Sequence, residues 1–309
     1  MLDDYKKHVD ERAELNIPPL PLDADQTSEL ISLLKEKNND PDYLLNLLKE
    51  RVPAGVDQAA YVKAAFLADI TTGNASSPYI SKIDAVEILG TMLGGYNVEP
   101  LIRCLEIEEL AETASHVLGR TLLIFDAFNE IFELSKKNKY AKKVIEEWAD
   151  AKWFTEKEDI KDQIKLTVFK VSGEINTDDL SPAPDAWSRP DIPLHALAMF
   201  KMPRTGLDDP LGTIEKLKEK GNPLVFVGDV VGTGSSRKSA TNSVLWHMGD
   251  EIPHIPNKKE GGYCFGGKIA PIFFNTLEDS GAFPIEMDVS KMLMGQEIIL
   301  EPLKGRVID

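Results

Sequence analysis

The residues with the clearest chemical potential lie in one glycine-rich segment, 228–243, which reads GDVVGTGSSRKSATNS. The apolar run before it predicts a buried strand, and a helix is predicted from Ser235 to Met248. The start of a helix carries free backbone N–H groups and the positive end of the helix dipole, so it attracts anions. The segment therefore predicts an anion-binding turn built from Ser235, Ser236 and Arg237.

Two nucleotide-binding motifs are excluded by the spacing of this segment. A Walker A loop needs glycine directly before Lys-Ser, but Arg237 precedes Lys238, and the same arginine stands where a dinucleotide fingerprint needs its third glycine. A small carboxylate fits better, because Arg237 can hold it with two hydrogen bonds while Ser235 and Ser236 donate to its other oxygens. The alternative is that Ser235 only caps the helix and Arg237 is a solvated first-turn residue.

A second candidate is the polar loop 176–190, which reads NTDDLSPAPDAWSRP. It is long and rich in turn-forming residues, and it contains Trp187 and Arg189, which a plain connection would not need. Long ordered loops are usually functional. Arg189 could supply a second cation to an anionic ligand; the alternative is a surface arginine beside Pro190.

The elements that must position these residues differ between the two halves of the chain. Residues 1–160 are predicted to be an all-α domain, because short amphipathic segments follow one another with tight connections. This arrangement is typical of a HEAT-like helical solenoid. The predicted helices begin near Asp42 and Asp57 and continue at 82–92, 98–105, 107–118, 121–135 and 139–153.

Residues 161–309 are predicted to form an α/β layer domain, because strand-like and helix-like segments alternate and 15 of the 21 glycines lie after residue 163. Strands are predicted at 166–171 (half-buried), 223–228, 269–274, 283–287 and 297–300, and helices at 194–201, 213–220, 235–248 and 275–281. Neither a helix nor a tail follows the last strand, so we expect the natural chain to continue past Asp309.

Composition excludes several classes of function. The chain has 35 Lys and Arg against 51 Asp and Glu, a net charge of −16, so a global basic surface for nucleic acid is absent. Its two cysteines cannot form a disulfide scaffold or a site of three thiolates. An acidic start without an apolar core, and the lack of a long apolar run, predict a cytoplasmic protein that does not enter membranes. The five scattered histidines are interpreted as structural or surface residues rather than metal ligands: His8, His116, His195, His247 and His254.

Three segments of the second half resemble the swivel domain of the aconitase family. They read NTDDLSPAPDAWSRPDIPLHALAM (176–199), GDVVGTGSSRKSATNSVLW (228–246) and GGKIAPIFFNTLEDSGAFPIE (266–286). Upstream, RVPAGVDQAAYVKAAFLADI (51–70) and LGTMLGGYNVEPLI (89–102) resemble the HEAT-like domain that the bacterial B type of this family carries before its swivel domain. The resemblance covers essentially the whole chain.

The resemblance implies a hydro-lyase of the tricarboxylic acid cycle that isomerises citrate and isocitrate through cis-aconitate, with 2-methyl-cis-aconitate as a further substrate to test. Ser235 matches the family's general base and also contacts substrate. Ser236 and Arg237 match residues that bind substrate carboxylates, and Arg189 matches the substrate-binding arginine of the swivel domain.

The resemblance also implies a 4Fe–4S cluster in the full-length enzyme, held by three thiolates from domains after the swivel domain. This chain offers only Cys104 and Cys264, in no ligand-like spacing, and both are interpreted as ordinary small residues. We therefore expect this chain alone to bind no cluster or metal and to be inactive.

The alternative hypothesis is a non-catalytic interaction module, because stacked helical hairpins form extended surfaces. The resemblance implies a homodimer through the HEAT-like domain and messenger RNA binding in the iron-depleted form. The densest basic patch of the helical half contains Lys136, Lys137, Lys139, Lys142 and Lys143. It is also interpretable as a solvated helix face balanced by Glu130, Glu133, Glu146 and Glu147.

Overall fold

The computed structural model describes residues 2–121 and 127–309. The chain divides into two compact units. The first contains residues 2–8, Leu20–Glu158 and Pro253–Pro256, and the second contains Val9–Pro19, Asp159–Ile252 and Asn257–Asp309. The predicted helix at 121–135 falls partly on residues 122–126, which lie outside the described residues.

The regular elements in the described part of the first unit are helical. Local sequence starts and stops them: Asp23 and Ser81 each form a capping box at a helix N-terminus, and Gly73, with φ +84°, ends the longest helix. The helices, including α1, which runs into the second unit, are α1 (Leu2–Ala13), α2 (Ala24–Leu34), α3 (Pro41–Asn46, continued by a π-helical turn Leu47–Arg51), α4 (Gln58–Thr72), α5 (Lys82–Gly90), α6 (Val98–Cys104), α7 (Ala111–Leu118), α8 (Phe128–Ser135), α9 (Lys139–Ala149) and α10 (Lys152–Thr155).

The second unit is an α/β layer, as the sequence predicted. Its six-stranded sheet has the order β6-β5-β2-β1-β7-β8. The first four strands pair in parallel, and β7 pairs antiparallel with both β1 and β8. A separate hairpin pairs β3 with β4. The strands are β1 (Ile164–Asn176), β2 (Leu224–Thr233), β3 (Asp250–Glu251), β4 (Lys259–Glu260), β5 (Tyr263–Ile269), β6 (Phe283–Glu286), β7 (Glu297–Glu301) and β8 (Arg306–Ile308). The helices are α11 (Thr177–Leu180), a 3-10 helix (Ala183–Ser188), α12 (Ile192–Ala196), α13 (Pro210–Lys218), α14 (Arg237–Met248), α15 (Pro271–Asp279) and a second 3-10 helix (Pro302–Lys304).

The sheet carries an apolar core on each of its faces. Phe169 and Phe226 belong to one core, and Leu166 and Val225 to the other. β1 is therefore buried on both faces over residues 166–169, not half-buried as predicted, because it is an interior strand between β2 and β7.

Two further predictions for this unit were wrong. The segment 269–274 is not a strand: β5 ends at Ile269 and α15 begins at Pro271, since proline suits the first turn of a helix. The strand predicted at 223–228 was given too early an end, because β2 continues through the first glycines to Thr233 and pairs with β1 and β5 there.

Within the described residues, no helix combines the length and the apolar character needed to cross a membrane.

Candidate functional site

The topology of the sheet brings the two predicted segments together. β1 and β2 are neighbouring parallel strands, and their register pairs Asn176 with Thr233 at their carboxyl ends. The loop 177–191 and the turn 234–236 start from these ends, so they emerge side by side. The carboxyl ends of parallel strands are where α/β proteins usually bind ligands.

Two glycines are required where β2 ends, one for packing on α15 and one for the close approach of the two segments. Gly232 has φ +80°, and a Cβ there would lie 2.2 Å from the ring of Phe273. Gly234 has φ +111°, and its Cβ would lie 2.5 Å from the Thr177 hydroxyl oxygen. The Ser236 backbone N–H donates to that same oxygen at 3.2 Å. The turn is thus fastened to the start of the neighbouring loop, with no room for side chains between them.

Ser236 occupies the N-cap of α14, but its hydroxyl does not cap the helix. Instead, Ser236 Oγ accepts a hydrogen bond from Arg189 Nη2 at 3.0 Å. Ser235, one residue earlier, is exposed. The interpretation of Ser235 as a mere helix cap does not describe this geometry, because Ser236 holds the cap position and uses its side chain for a contact 47 residues away in sequence.

Arg189 is half-buried and has only neutral partners among the described residues. Its Nε donates to Ser181 Oγ at 3.2 Å and its Nη2 to the Ser181 carbonyl at 3.4 Å, besides the bond to Ser236. Asp185, in the same loop, pairs with Lys201 at 2.8 Å. The charge of Arg189 is therefore not neutralised by a carboxylate in the part of the chain that the structure describes, and it is not a solvated surface arginine.

Arg237 is the second cation of the site. Its Nη1 donates to the Gly234 carbonyl at 2.9 Å, and it forms no ion pair with any described residue. One guanidinium is thus bonded to the backbone of the turn and the other to Ser236, at the N-terminus of a twelve-residue helix. Such a set favours an anion with several oxygens, because each donor can bind a separate oxygen and the desolvated anion is compensated by more than one positive charge.

Ser181, which contacts Arg189, belongs to a buried cluster of polar side chains. Ser181 Oγ lies 2.7 Å from Ser239 Oγ and 2.8 Å from His195 Nε2, and His195 Nδ1 lies 2.8 Å from Ser188 Oγ. Burial, reinforced by the charge of Arg189, lowers the pKa of His195, so its imidazole is neutral at physiological pH. Sequence reasoning missed Ser181 and Ser239 as members of the site. Their only signal was that each lies in a segment already singled out; the contact itself depends on the pairing of β1 with β2.

The described residues do not fit an iron–sulfur cluster. Cys104 and Cys264 lie in different units, and burial raises the pKa of both thiols, that of Cys264 to about 12, whereas cluster ligands are thiolates. Among the described residues there is also no group of three or more His, Cys, Asp and Glu side chains placed to hold a metal.

Family comparisons match both halves of the chain. The model described as "Aconitate B N-terminal domain" matches residues 4–154, and the model described as "Aconitate hydratase 2 N-terminus" matches residues 166–309.

Among characterised relatives, the chain is 58% identical over 316 residues to aconitate hydratase B of Escherichia coli (strain K12), and this match covers 99% of the chain. It is 56% identical over 317 residues to the Pseudomonas aeruginosa protein of the same name, covering 100% of the chain, and 50% identical over 308 residues to the Helicobacter pylori (strain J99) protein, covering 99%. In each case the chain spans 36% of the relative's length.

Proposed function

Because the chain belongs to the aconitate hydratase B family and matches its N-terminal region, we propose that it supplies the general base and part of the substrate-binding site of an aconitate hydratase. The reaction is the isomerisation of citrate and isocitrate through cis-aconitate, with 2-methyl-cis-aconitate as a further substrate to test. The observation that carries the proposal is the contact between Arg189 and Ser236. Through it, a cation that has no carboxylate partner among the described residues lies at the N-terminus of α14.

In this proposal the two arginines bind substrate carboxylates, each with a fork of parallel N–H donors. Ser236 adds a hydroxyl contact at the helix N-terminus. Ser235 is the base that removes and returns a proton on a substrate carbon. A serine hydroxyl is a weak base, so its alkoxide needs stabilisation from the backbone N–H groups of the turn, the helix dipole and the nearby guanidinium of Arg237.

The 4Fe–4S cluster of the family belongs, in this proposal, to a part of the full-length enzyme outside this chain. The two buried, protonated thiols described above leave no set of ligands for it here. We propose accordingly that the chain alone carries an incomplete active site and is inactive.

We also propose that residues 1–160 form the HEAT-like domain and residues 161–309 the swivel domain. For the first, α4 packs on α5, α5 on α7, and α7 on α9, a succession of neighbouring helices that is typical of solenoids. For the second, support comes from the six-stranded sheet, in which the segments of the candidate site follow the carboxyl ends of the parallel strands β1 and β2.

The alternative hypothesis, an interaction module for a second copy, a protein partner or messenger RNA, has less support. In the basic patch Lys136 pairs with Glu133 at 2.6 Å, and Lys142 lies 3.6 Å from Glu146. Lys143 lies 4.0 Å from Glu147. Three of the five lysines in the patch therefore lie within 4.0 Å of a glutamate that is three or four residues away in sequence. This local charge balance favours the interpretation as a solvated surface.

The proposed base is tested with Ser235→Ala in the full-length enzyme. We expect kcat to fall by about 10²–10⁴-fold while KM for citrate changes much less, because proton transfer is lost and the carboxylate contacts remain. Steady-state kinetics in both directions measure this.

The matched control is Ser172→Ala, which changes an exposed serine of β1 in the same unit and should leave kcat unchanged. A Ser235→Ala enzyme with at least half the parent rate would remove the base assignment. Turnover of citrate by the purified 309-residue chain would contradict the incomplete site.

A further inference from the structure

One of the two buried histidines of the α/β unit, His195, lies beside the candidate site. His195 is 2% exposed, and both of its ring nitrogens have serine partners at 2.8 Å: Nε2 meets Ser181 Oγ and Nδ1 meets Ser188 Oγ. Ser181 in turn accepts a hydrogen bond from Nε of Arg189. The histidine is therefore one residue removed from the cation of the candidate site.

Hydrogen bonds on both sides hold the imidazole of His195 in place. The Ser188 hydroxyl donates to the Asp185 carbonyl at 2.7 Å, so its oxygen is free to accept from Nδ1–H of His195. A neutral imidazole protonated at Nδ1 has an acceptor at Nε2. The Ser181 hydroxyl has two neighbours within hydrogen-bond distance, Nε2 of His195 at 2.8 Å and Ser239 Oγ at 2.7 Å, and these two contacts fix the position of its oxygen. The Ser181 oxygen then keeps a lone pair directed to Nε–H of Arg189 at 3.2 Å.

We propose that His195 is a positioning residue for substrate binding: it fixes the Ser181 hydroxyl, which holds the Arg189 guanidinium against Ser236. The inference rests on the proposed function, because it assigns His195 a role only if Arg189 binds substrate. Arg189 has no carboxylate to orient it among the described residues, so its direction is set by these neutral acceptors. A guanidinium that is free to rotate loses the fork geometry that carboxylate binding requires.

A second buried histidine provides the matched control. His247 on α14 is 7% exposed, its Nε2 lies 3.0 Å from the Ala196 carbonyl, and burial lowers its pKa to about 4. It has no described hydrogen bond to Arg189 or Ser181. Replacing it disturbs the same core without disturbing the contacts that orient the arginine.

The test uses the full-length enzyme with three substitutions in the contacts that join His195 to Arg189 through Ser181. His195→Leu should raise KM for citrate about tenfold with a smaller change in kcat, because binding geometry rather than proton transfer is affected. His195→Gln should recover most of that loss, since its amide reaches the position of Nε2. Ser181→Ala removes the hydroxyl between the two residues and keeps the histidine, so it should also raise KM about tenfold. It therefore tests the proposal independently of whether His195→Leu folds. His247→Leu should leave KM within about twofold of the parent.

A double-mutant cycle with Arg189→Met separates the two claims. If His195 acts through Arg189, His195→Leu should add no further increase in KM once the guanidinium is gone. An unchanged KM in Arg189→Met itself would overturn the proposed function. A raised KM in Arg189→Met, with no effect of Ser181→Ala or a full additional effect of His195→Leu, would overturn the positioning role alone.

Discussion

Arg12 and Arg189, two arginines of the α/β unit, have opposite surroundings, although Asp191, the partner of Arg12, lies only two residues from Arg189 in sequence. Arg12 is 8% exposed and binds Asp191 with two hydrogen bonds, Nη1 to Oδ2 at 2.6 Å and Nη2 to Oδ1 at 2.9 Å. Arg189 is more exposed and has only serine oxygens as partners. The first cation has its anion within the chain, whereas the second lacks one among the described residues. The comparison teaches that the partner, rather than the residue type, separates a structural arginine from one available to a ligand.

Loss of the buried ion pair between Arg12 and Asp191 should have a large effect on stability. Arg12→Met should lower the free energy of unfolding by about 3–5 kcal/mol, because it leaves the Asp191 carboxylate, which is 15% exposed, without its counter-charge. Denaturant titration of the 309-residue chain measures the change. Arg103→Met is the control, since that arginine pairs with Glu99 on an exposed helix surface and should change stability by less than about 0.5 kcal/mol. A loss below about 1 kcal/mol for Arg12→Met would contradict the structural assignment.

Lys63 differs from both arginines, because among the described residues it is a buried cation with neither an anion in contact nor access to a ligand. It is fully buried on α4, and its Nζ has no hydrogen-bond partner among the described residues. Burial lowers the pKa of Lys63 to about 8, and the carboxylate of Glu50 offsets this only in part. Since the pKa in the unfolded chain is near 10.5, the unfolded state binds more protons between about pH 8 and 10.5. Stability should therefore rise with pH across that window.

Lys63→Met should raise the free energy of unfolding at pH 7 by about 2–3 kcal/mol and remove this rise, because no charge is then buried. Unfolding curves at pH 7, 9 and 10.5 measure both effects. The exposed Lys37→Met is the control and should show neither. A Met variant that is less stable than the parent at pH 7 would mean that the ammonium is stabilised by its surroundings.

Elements of the fold could be predicted where local pattern and tertiary environment agree. The helix around α4 was predicted because Asp57 caps it, and it is observed at Gln58–Thr72. The strand before the glycines was predicted from its apolar run and is observed as β2. The strand predicted at 269–274 was wrong because an apolar run does not distinguish a strand from the first turns of a buried helix, and Pro271 decides for the helix.

The candidate site divides in the same way. Local chemistry singled out Ser235, Ser236, Arg237 and Arg189, and the fold brings Arg189 to Ser236. The partners that orient Arg189 could not be predicted, because the contact between Ser181 and Ser239 joins residues 58 positions apart. This contact can be inferred only once β1 and β2 are known to be parallel neighbours. Charge pairing, which separates Arg12 from Arg189, likewise requires the tertiary structure.

The role of Arg189 in binding an anionic substrate is tested by comparing KM for citrate in Arg189→Met and Arg12→Met versions of the full-length enzyme. Each variant is measured at a temperature where it is folded. We expect Arg189→Met to raise KM by roughly 5–150-fold, equivalent to about 1–3 kcal/mol for a lost charged hydrogen-bond pair, with the free energy of unfolding unchanged. Arg12→Met should leave KM near the parent value while lowering stability. An Arg189→Met enzyme whose KM stays within about twofold of the parent would show that Arg189 does not bind the substrate.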